Sequence, residues 1–328
     1  MVGRKGRSPE NRWSPIQLVG EDLREWTEGA PAALMAARLW ARYAPRGKGA
    51  IPRLLGRTFG RSWKRFIRTK RGACLAIEPT SLDIYARILN QKGVWEEPVF
   101  EACSSMLSGG SVFYDVGANV GFMSIEMGMV HHDRVTVFSF EPQPLLACAV
   151  ARSAHLTGLA GMGVFELMLG DHEGSAELFL VRHSGHASMA PRERHAKRMA
   201  RTVATIDGMV ASGRIPAPDV IKLDVEGAEW MVLAGARQTI AAARPGLVFE
   251  ANENMERFGH TVRDLLDLVT SLAPYDFFVL VAGEDGVIPI EKWSGHDRHV
   301  DIVAVPRGTE RGNLGGLVQP VGHLNSSS

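Results

Sequence analysis

The sequence predicts an α/β fold: a doubly wound, mostly parallel, seven-stranded Rossmann-like sheet behind a basic, partly helical N-terminal extension. Three observations support this prediction. From residue 81 onward, short apolar segments alternate with amphipathic helical ones. The segment 111–115 is apolar almost throughout, which is typical of a parallel strand covered on both faces. A glycine-containing turn follows it directly, at the position where open α/β sheets bind ligands.

Hydrophobic periodicity gives the order of the elements. Predicted helices cover 81–90, 97–107, 120–130, 145–156, 228–243 and 261–272. Predicted strands cover 111–115, 135–140, 164–169, 220–224, 247–250, 277–281 and 300–305. An extra strand is expected at 175–181, outside this alternation, and a polar loop at 182–200. Repeated βα units of this kind imply right-handed crossovers.

The charge is distributed unevenly along the chain. Residues 1–72 contain 17 Lys and Arg against 5 Asp and Glu, which gives +12, whereas the whole chain carries +1. Residues 73–328 therefore carry −11, and we place the domain boundary near residue 72. Residues 31–43 are predicted to form a helix packed on the body, and residues 308–328 a flexible tail after the 73–307 domain. The basic arm is interpreted as a solvated leader; binding of a nucleic acid, an anionic membrane surface or an acidic carrier are the alternatives.

The composition is that of an ordinary globular protein, with 328 residues, 45% hydrophobic and 22% charged. The three cysteines form no CxxC pair, which argues against a zinc site and favours a reducing compartment. No apolar run reaches the ~18 residues needed to cross a bilayer, and the N-terminus lacks the pattern of a signal peptide. We therefore expect a cytoplasmic protein, with homo-oligomerisation left open.

The turn after the first strand reads Asp115-Val-Gly-Ala-Asn-Val-Gly121. A dinucleotide site would show G-x-G-x-x-G, and a carboxylate at the strand end would repel a pyrophosphate. Glu141 ends the second strand, 26 residues after Asp115, and can accept hydrogen bonds from both ribose hydroxyls. S-adenosylmethionine combines a nucleoside with an ammonium and a sulfonium and has no phosphate. The pattern therefore predicts an S-adenosylmethionine site, with a plain glycine turn and a helix-capping acid as the structural alternative.

These residues resemble the FkbM-type methyltransferases, a branch of the class I S-adenosylmethionine-dependent fold. The resemblance covers roughly residues 74–306. It is carried by an ordered set of segments: 113–121, 140–143, 169–171, 205–207, 221–229, 232–236, 244–245 and 248–250. The resemblance implies methyl transfer to a hydroxyl oxygen of a sugar, a glycolipid or a polyketide-type natural product.

The resemblance also assigns cofactor-binding roles. Asp115 and Gly117 are expected at the methionine end, together with Asn119 and Gly121 of the same turn. Glu141 is expected at the ribose, beside Gln143. Asp171 would reach the adenine amino group, and Glu97 matches a family acid that faces the pocket. One departure is visible: two Asn typical of the helix after the second strand are replaced by Ser153 and Thr157.

An alcohol acceptor must lose its proton, and a positioned base could contribute about 10²–10⁴-fold to the rate. Asp224 is the first candidate because it ends the fourth strand beside the cofactor. Glu226, Glu250 and Glu229 are further carboxylates there, although helix-terminus charge is the simpler explanation for Glu226 and Glu229. His186, in the 182–200 loop with His183 and His195, is a third type of candidate base.

Alternatives remain open at this stage. Asp224, Glu226, Glu250 and Asn252 offer the oxygen ligands that Mg²⁺ prefers, although we predict no metal. The basic arm would suit an RNA or protein methyltransferase, and a non-enzymatic or NAD-binding module is a third class. A small-molecule or glycan hydroxyl is the acceptor that we predict, and a nucleic acid is not expected.

Overall fold

The computed structural model describes residues 14–18, 23–43, 64–180, 187–188, 197–280, 287–292 and 299–309. The strands of these parts are β1 Thr27–Glu28, β2 Arg65–Arg68, β3 Cys74–Ala76, β4 Ser111–Val116, β5 Val135–Phe140, β6 Gly163–Phe165, β7 Met168–Leu169, β8 Gly174–Leu180, β9 Ala187–Ser188, β10 Lys197–Ala204, β11 Val220–Leu223, β12 Gly246–Asn252, β13 Tyr275–Leu280, β14 Val287–Pro289 and β15 His299–Pro306. The helices are α1 Ala32–Tyr43, α2 Leu82–Asn90, α3 Glu97–Ser105, α4 Phe122–His131, α5 Pro144–Thr157, α6 Ile206–Ala211, α7 Glu229–Ala234, α8 Arg237–Ala243 and α9 Val262–Leu272. Within these ranges, no helix is long and apolar enough to cross a membrane.

The central sheet has the strand order β14-β13-β15-β12-β11-β4-β5-β6. The strands β12, β11, β4, β5 and β6 are parallel, and β15 runs antiparallel to its two neighbours. All six residues of β4 are buried, which explains its continuous apolar pattern. The predicted doubly wound, mostly parallel α/β sheet is confirmed. The predicted count of seven strands is corrected to eight, because Val287–Pro289 is too short to give a periodic signal.

The order of the strands fixes where ligands can bind. From β4 the chain moves outward through β5 to β6, and later returns to place β11 on the other side of β4. The strand order therefore reverses between β4 and β11, so a crevice opens at their carboxyl ends. In this parallel pair, Asp115 is the register partner of Lys222 and Val116 that of Leu223. The turns after both strands consequently meet at one edge of the sheet.

Three predicted boundaries need correction. The helix predicted at 228–243 is two helices, because a Cβ on Gly235 would lie 1.9 Å from the Gly170 carbonyl oxygen and the Gly235 carbonyl accepts a bond from Asp207 N–H. The strand predicted at 164–169 divides into β6 and β7, and β7 pairs with β10 in a separate four-stranded sheet. The loop predicted at 182–200 is a strand from Lys197 onward, where β10 pairs antiparallel with β8.

The described N-terminal residues are integrated with the body. The strands β1, β2 and β3 form one sheet, and residue 72 lies in the turn between β2 and β3. Leu34 and Ala37 of the predicted helix α1 are completely buried in a cluster shared with α2. The hydroxyls of Ser153 and Thr157 accept hydrogen bonds from the backbone N–H groups of Ala76 and Cys74, at 2.9 and 3.0 Å. These two departures from the family pattern thus fasten β3 to α5.

Candidate active site

A cleft opens at the carboxyl ends of β4, β5 and β11. Its lining comes from the turns that follow these strands and from β6 to β8. The lining residues are Val116, Gly117, Asn119, Phe140, Glu141, Pro142, Gln143, Leu167, Met168, Leu169, Leu178, Asp224, Val225 and Glu226. The crevice expected at the reversal of strand order is therefore present, and four residues expected to bind a cofactor line it: Gly117, Asn119, Glu141 and Gln143.

Glu141 joins two of these turns. Its Oε2 accepts a hydrogen bond from the Asn119 N–H at 2.9 Å, and its Oε1 accepts one from the Gln143 N–H at 2.8 Å. The residue is 3% exposed. Burial raises the pKa of the Glu141 carboxyl to about 7, against the opposing effect of the two backbone donors. Each carboxylate oxygen can accept a further bond, so the group can still bind a pair of ligand hydroxyls.

The charge of the cleft discriminates between ligand types. Glu141, Asp224 and Glu226 line it, and no Lys or Arg stands among its described lining residues. A phosphate would meet three carboxylates and no cation, whereas a cationic ligand would be attracted. The lining also has an apolar part, to which Leu167, Met168, Leu169 and Leu178 contribute. The lining suits a ligand with a flat uncharged base, a ribose and a positively charged end.

A glycine is required at position 117 because the turn after β4 closely approaches the turn after β11. Its φ is +83°, and a Cβ there would lie 1.9 Å from the backbone oxygen of Asp224. Gly121 has a φ of +82°, and its missing side chain makes room for Val150 of α5. Gly117 therefore shapes the cleft itself. Gly121, which is absent from the lining, allows α4 to pack against α5.

Asp115 lies behind the cleft and not in its lining. It is fully buried, and its Oδ2 accepts hydrogen bonds from the backbone N–H of Ser124, at 3.1 Å, and from the Ser124 hydroxyl. Its Oδ1 lies 3.8 Å from the Nζ of Lys222. Burial raises the pKa of the Asp115 carboxyl, opposed by Lys222 and Ser124. In this structure the side chain holds the start of α4 and the neighbouring strand β11.

A second cavity adjoins the cleft, and Asp224 lines both. It is built by β11, β12 and β15 together with α2 and the start of α3. Its lining residues are Arg87, Trp95, Glu96, Val99, Lys222, Leu223, Asp224, Val248, Phe249, Glu250, His299 and Asp301. A ligand in each space would therefore meet the other at Asp224.

The carboxyls of the second cavity raise one another's pKa. Burial and the charge of Asp224 raise the pKa of Glu250 to about 10 and that of Asp301 to about 6. Burial raises the pKa of Glu96 to about 7, although Lys222 opposes the shift. The Oε1 of Glu250 also lies 3.1 Å from Nδ1 of His299. Sequence reasoning missed Glu96, Asp301 and His299 because these residues lie far apart in the chain.

Residues 115–276 match the family described as the methyltransferase FkbM domain. This chain contains an FkbM-type methyltransferase domain. Hexuronic acid methyltransferase AglP of Haloferax volcanii is 31% identical over 126 residues, which are 38% of this chain and 49% of that protein. The chain thus matches about half the length of this curated relative.

Two solved structures match part of this chain. The FkbM methyltransferase from Methylobacillus flagellatus is 18% identical, with 70% of this chain and 56% of that chain covered and a TM-score of 0.43. An S-adenosylmethionine-dependent O-methyltransferase from Thermotoga maritima is 14% identical, with 76% and 80% covered and a TM-score of 0.36.

The structure places two residues carried over from the FkbM pattern away from the cleft. Glu97 pairs with Arg71, at 2.6 Å, and the preceding Glu96 lines the second cavity in its place. The reason is local: Glu96 has a left-handed backbone with a φ of 49° and precedes the first turn of α3, so adjacent side chains diverge. Asp171 is exposed, with its Oδ1 2.7 Å from Nδ1 of His172. Glu97 therefore stands in the described lining of neither space, and Glu96 stands in that of the second cavity.

The residues predicted as the general base do not all lie in the cleft. Asp224 lies between the two spaces, and Glu226 lines the cleft with a φ of 58°. Glu229 is fully buried and accepts hydrogen bonds from the N–H groups of Val225, at 3.0 Å, and Gly227, at 3.2 Å. Glu229 thus holds the β11–α7 turn. His186 lies outside the described residues, as do His183 and His195.

The oxygen ligands considered for Mg²⁺ are partly engaged with one another. The side-chain amide of Asn252 donates to Oε2 of Glu250, and Oδ1 of Asn252 accepts from the Asn254 N–H at 2.8 Å. Across the residues that the structure describes, no group of three or more His, Cys, Asp or Glu has the geometry to hold a metal ion.

Proposed function

We propose that this chain is an S-adenosylmethionine-dependent O-methyltransferase acting on a hydroxyl of a sugar, a glycolipid or a polyketide-type natural product. One observation carries the proposal: a cleft with three carboxylates and no described basic lining residue shares Asp224 with a second, polar cavity. The FkbM-type domain supports methyl transfer from S-adenosylmethionine. The sugar methyltransferase relative supports a hydroxylated acceptor.

The cleft residues fit the parts of S-adenosylmethionine. Glu141 would accept hydrogen bonds from the ribose hydroxyls, and the apolar lining residues Pro142 and Leu167–Leu169 would contact the adenine. Asp224 and Glu226 would face the cationic end. Asp115 would act indirectly, because it does not line the cleft and instead positions Lys222 and the start of α4.

The second cavity would hold the acceptor. Its carboxylates and cations can accept from and donate to several hydroxyl groups, and Trp95 adds an aromatic side chain to the lining. When bound, S-adenosylmethionine supplies a methyl group already activated on sulfur, so a C–O bond forms as the C–S bond breaks and the hydroxyl proton must leave. Asp224 is the carboxylate placed to orient that hydroxyl and to take the proton, with Glu226 as the second candidate.

The proposal is tested with the purified full-length chain. Titration calorimetry should show S-adenosylmethionine binding in the micromolar range or tighter. Transfer of a labelled methyl group should then be detected with a panel of neutral sugars, uronic acids, glycolipids and polyketides.

Asp224→Asn should lower turnover by roughly 10²–10⁴-fold. Asp267→Asn, which changes an exposed carboxylate on α9, should not change turnover. Preferential binding of NAD, or labelling of RNA or protein in place of every small acceptor, would contradict the proposal.

A further inference from the structure

The N-terminal helix α1 has an apolar side that no described residue covers. Met35, Leu39 and Tyr43 are 40%, 56% and 71% exposed, and they recur every four residues along one face. Leu34 and Ala37 on the opposite face are completely buried against the body. Exposed apolar side chains are ordinary when scattered, but a stripe along one helix marks an interaction surface. We call Met35, Leu39 and Tyr43 the α1 stripe.

The sequence around the α1 stripe is strongly basic. Residues 29–77 contain 12 Lys and Arg and no Asp or Glu. On the helix itself, the exposed Arg42 lies over the Tyr43 ring, 5.5 Å from its centroid. Some cations of this region are engaged elsewhere, since Arg68 pairs with Glu28 at 2.7 Å and Lys64 pairs with Glu25. Even so, the segment 29–77 has an excess of positive charge in its sequence, and Arg42 lies on the same helix as the α1 stripe.

We propose that the α1 stripe docks on an anionic lipid bilayer. A short helix with apolar and aromatic side chains on one side and arginines beside them lies in the headgroup region, and anionic lipids attract its cations. A nucleic acid would use the cations but leave Met35 and Leu39 in water. A second copy of the chain would bring two basic segments together, and their like charges would repel.

The position of α1 connects this surface with the second cavity. The Arg38 Nε donates to the Asn90 side-chain oxygen at 3.1 Å, and this contact ties α1 to the end of α2. The same helix α2 carries Arg87, which lines the second cavity. Docking through α1 would therefore leave helix α2 between the bilayer and the second cavity. The docking proposal itself does not depend on the proposed methyl transfer.

The experiment is co-sedimentation of the full-length chain with vesicles of phosphatidylcholine and phosphatidylglycerol, compared with pure phosphatidylcholine vesicles. Binding should require the anionic lipid. Arg42→Gln should weaken binding about fivefold, and Leu39→Ser roughly tenfold. Matched controls are Arg263→Gln, another exposed arginine, and Val130→Ser, another exposed apolar residue, and neither should change binding.

Three outcomes would overturn the proposal. The first is no binding to anionic vesicles. The second is that the wild type binds RNA and shows no preference for anionic vesicles. In that case Arg42→Gln would weaken RNA binding and Leu39→Ser would leave it unchanged. The third is a concentration-dependent dimer that Leu39→Ser dissolves. The melting temperature should be the same for all variants. If Leu39→Ser lowers the melting temperature, Met35→Ser is used in its place. Methyl transfer to a soluble acceptor is measured alongside, so that a failure of docking and a failure of the proposed activity are seen separately.

Discussion

The Nζ atom of Lys222 lies 3.3 Å from Oδ2 of Asp224, the residue that lines both the cleft and the second cavity. The same ammonium lies 3.8 Å from Oδ1 of the fully buried Asp115. Burial opposes the charge on Lys222, but Asp224, Asp115 and Glu96 outweigh it and raise its pKa well above the ordinary value. One cation therefore compensates a carboxylate behind the cleft and another at the expected site of reaction.

Replacement of this cation should destabilise the fold. We expect Lys222→Met to lower the free energy of unfolding by about 3–5 kcal/mol at neutral pH, because Asp115 is left as a buried charge without compensation. Protonation of Asp115 relieves that charge, so the loss should shrink as the pH falls. The measurement is urea unfolding at neutral and acid pH. A pH-independent loss would show that the effect of Lys222 comes from packing alone.

Glu141→Gln should weaken S-adenosylmethionine binding. The substitution removes the negative charge that would accept the ribose hydroxyls, and hydrogen bonds to a charged group contribute about 1.5–3 kcal/mol. We expect the Kd from titration calorimetry to rise roughly 10–100-fold. Asp267→Asn removes a carboxylate on α9 whose side chain is largely exposed, and it should leave the Kd unchanged. Equal Kd values for the Gln variant and the wild type would exclude Glu141 as a ligand of the cofactor.

Gly117→Ala should cost more stability than Gly158→Ala. Both glycines have a φ of +83°, so both alanines meet the same backbone strain of about 1–2 kcal/mol. Only at Gly117 would the Cβ clash with the Asp224 carbonyl, whereas no heavy atom lies within 4 Å of a Cβ at Gly158. The clash should add about 1–3 kcal/mol and displace the turns that form the cleft. Thermal melting and cofactor titration of the two variants test this, and equal losses would contradict the close approach.

Glu229 should make the fold less stable as the pH rises. Burial raises its pKa from 4.5 to about 7, so the folded chain holds the proton more tightly than the unfolded chain does. Its contribution to stability is therefore full below pH 4.5 and is lost as the pH rises through about 7. We expect a loss of about 3 kcal/mol over this window that Glu229→Gln does not show. Unfolding curves at several pH values measure it, and parallel profiles for both proteins would refute the assignment.

Local patterns were sufficient for much of the fold. The strand at 135–140 coincides with β5, because a continuous apolar run before a turn is a strong signal. The helix at 31–43 was found to within one residue as α1. By contrast, the helix at 228–243 is broken by the contact between Gly235 and Gly170, which are 65 residues apart in the sequence. No local periodicity could reveal that contact.

The cleft was more predictable than the second cavity. Gly117, Asn119, Glu141 and Gln143 lie in two short turns that follow neighbouring strands, so spacing alone brings them together. The second cavity takes Glu96 from the start of α3, Glu250 from β12 and Asp301 from β15. Nothing in the sequence near any one of them signals the others. Burial is the largest cause of their raised pKa values, and the charge of Asp224, which the fold brings near all three, adds to it.

The sequence by itself determined the α/β class, the glycine turn, the strand-final Glu141 and the resemblance to an FkbM domain, since each depends on residues close together in the chain. Only the tertiary structure decided that Asp115 lies behind the cleft, that Glu96 and not Glu97 lines a cavity, and that Lys222 joins Asp115 to Asp224. The physical reason is that strand pairing fixes the contacts between separate strands, and a left-handed residue before α3 fixes which of two adjacent glutamates points inward.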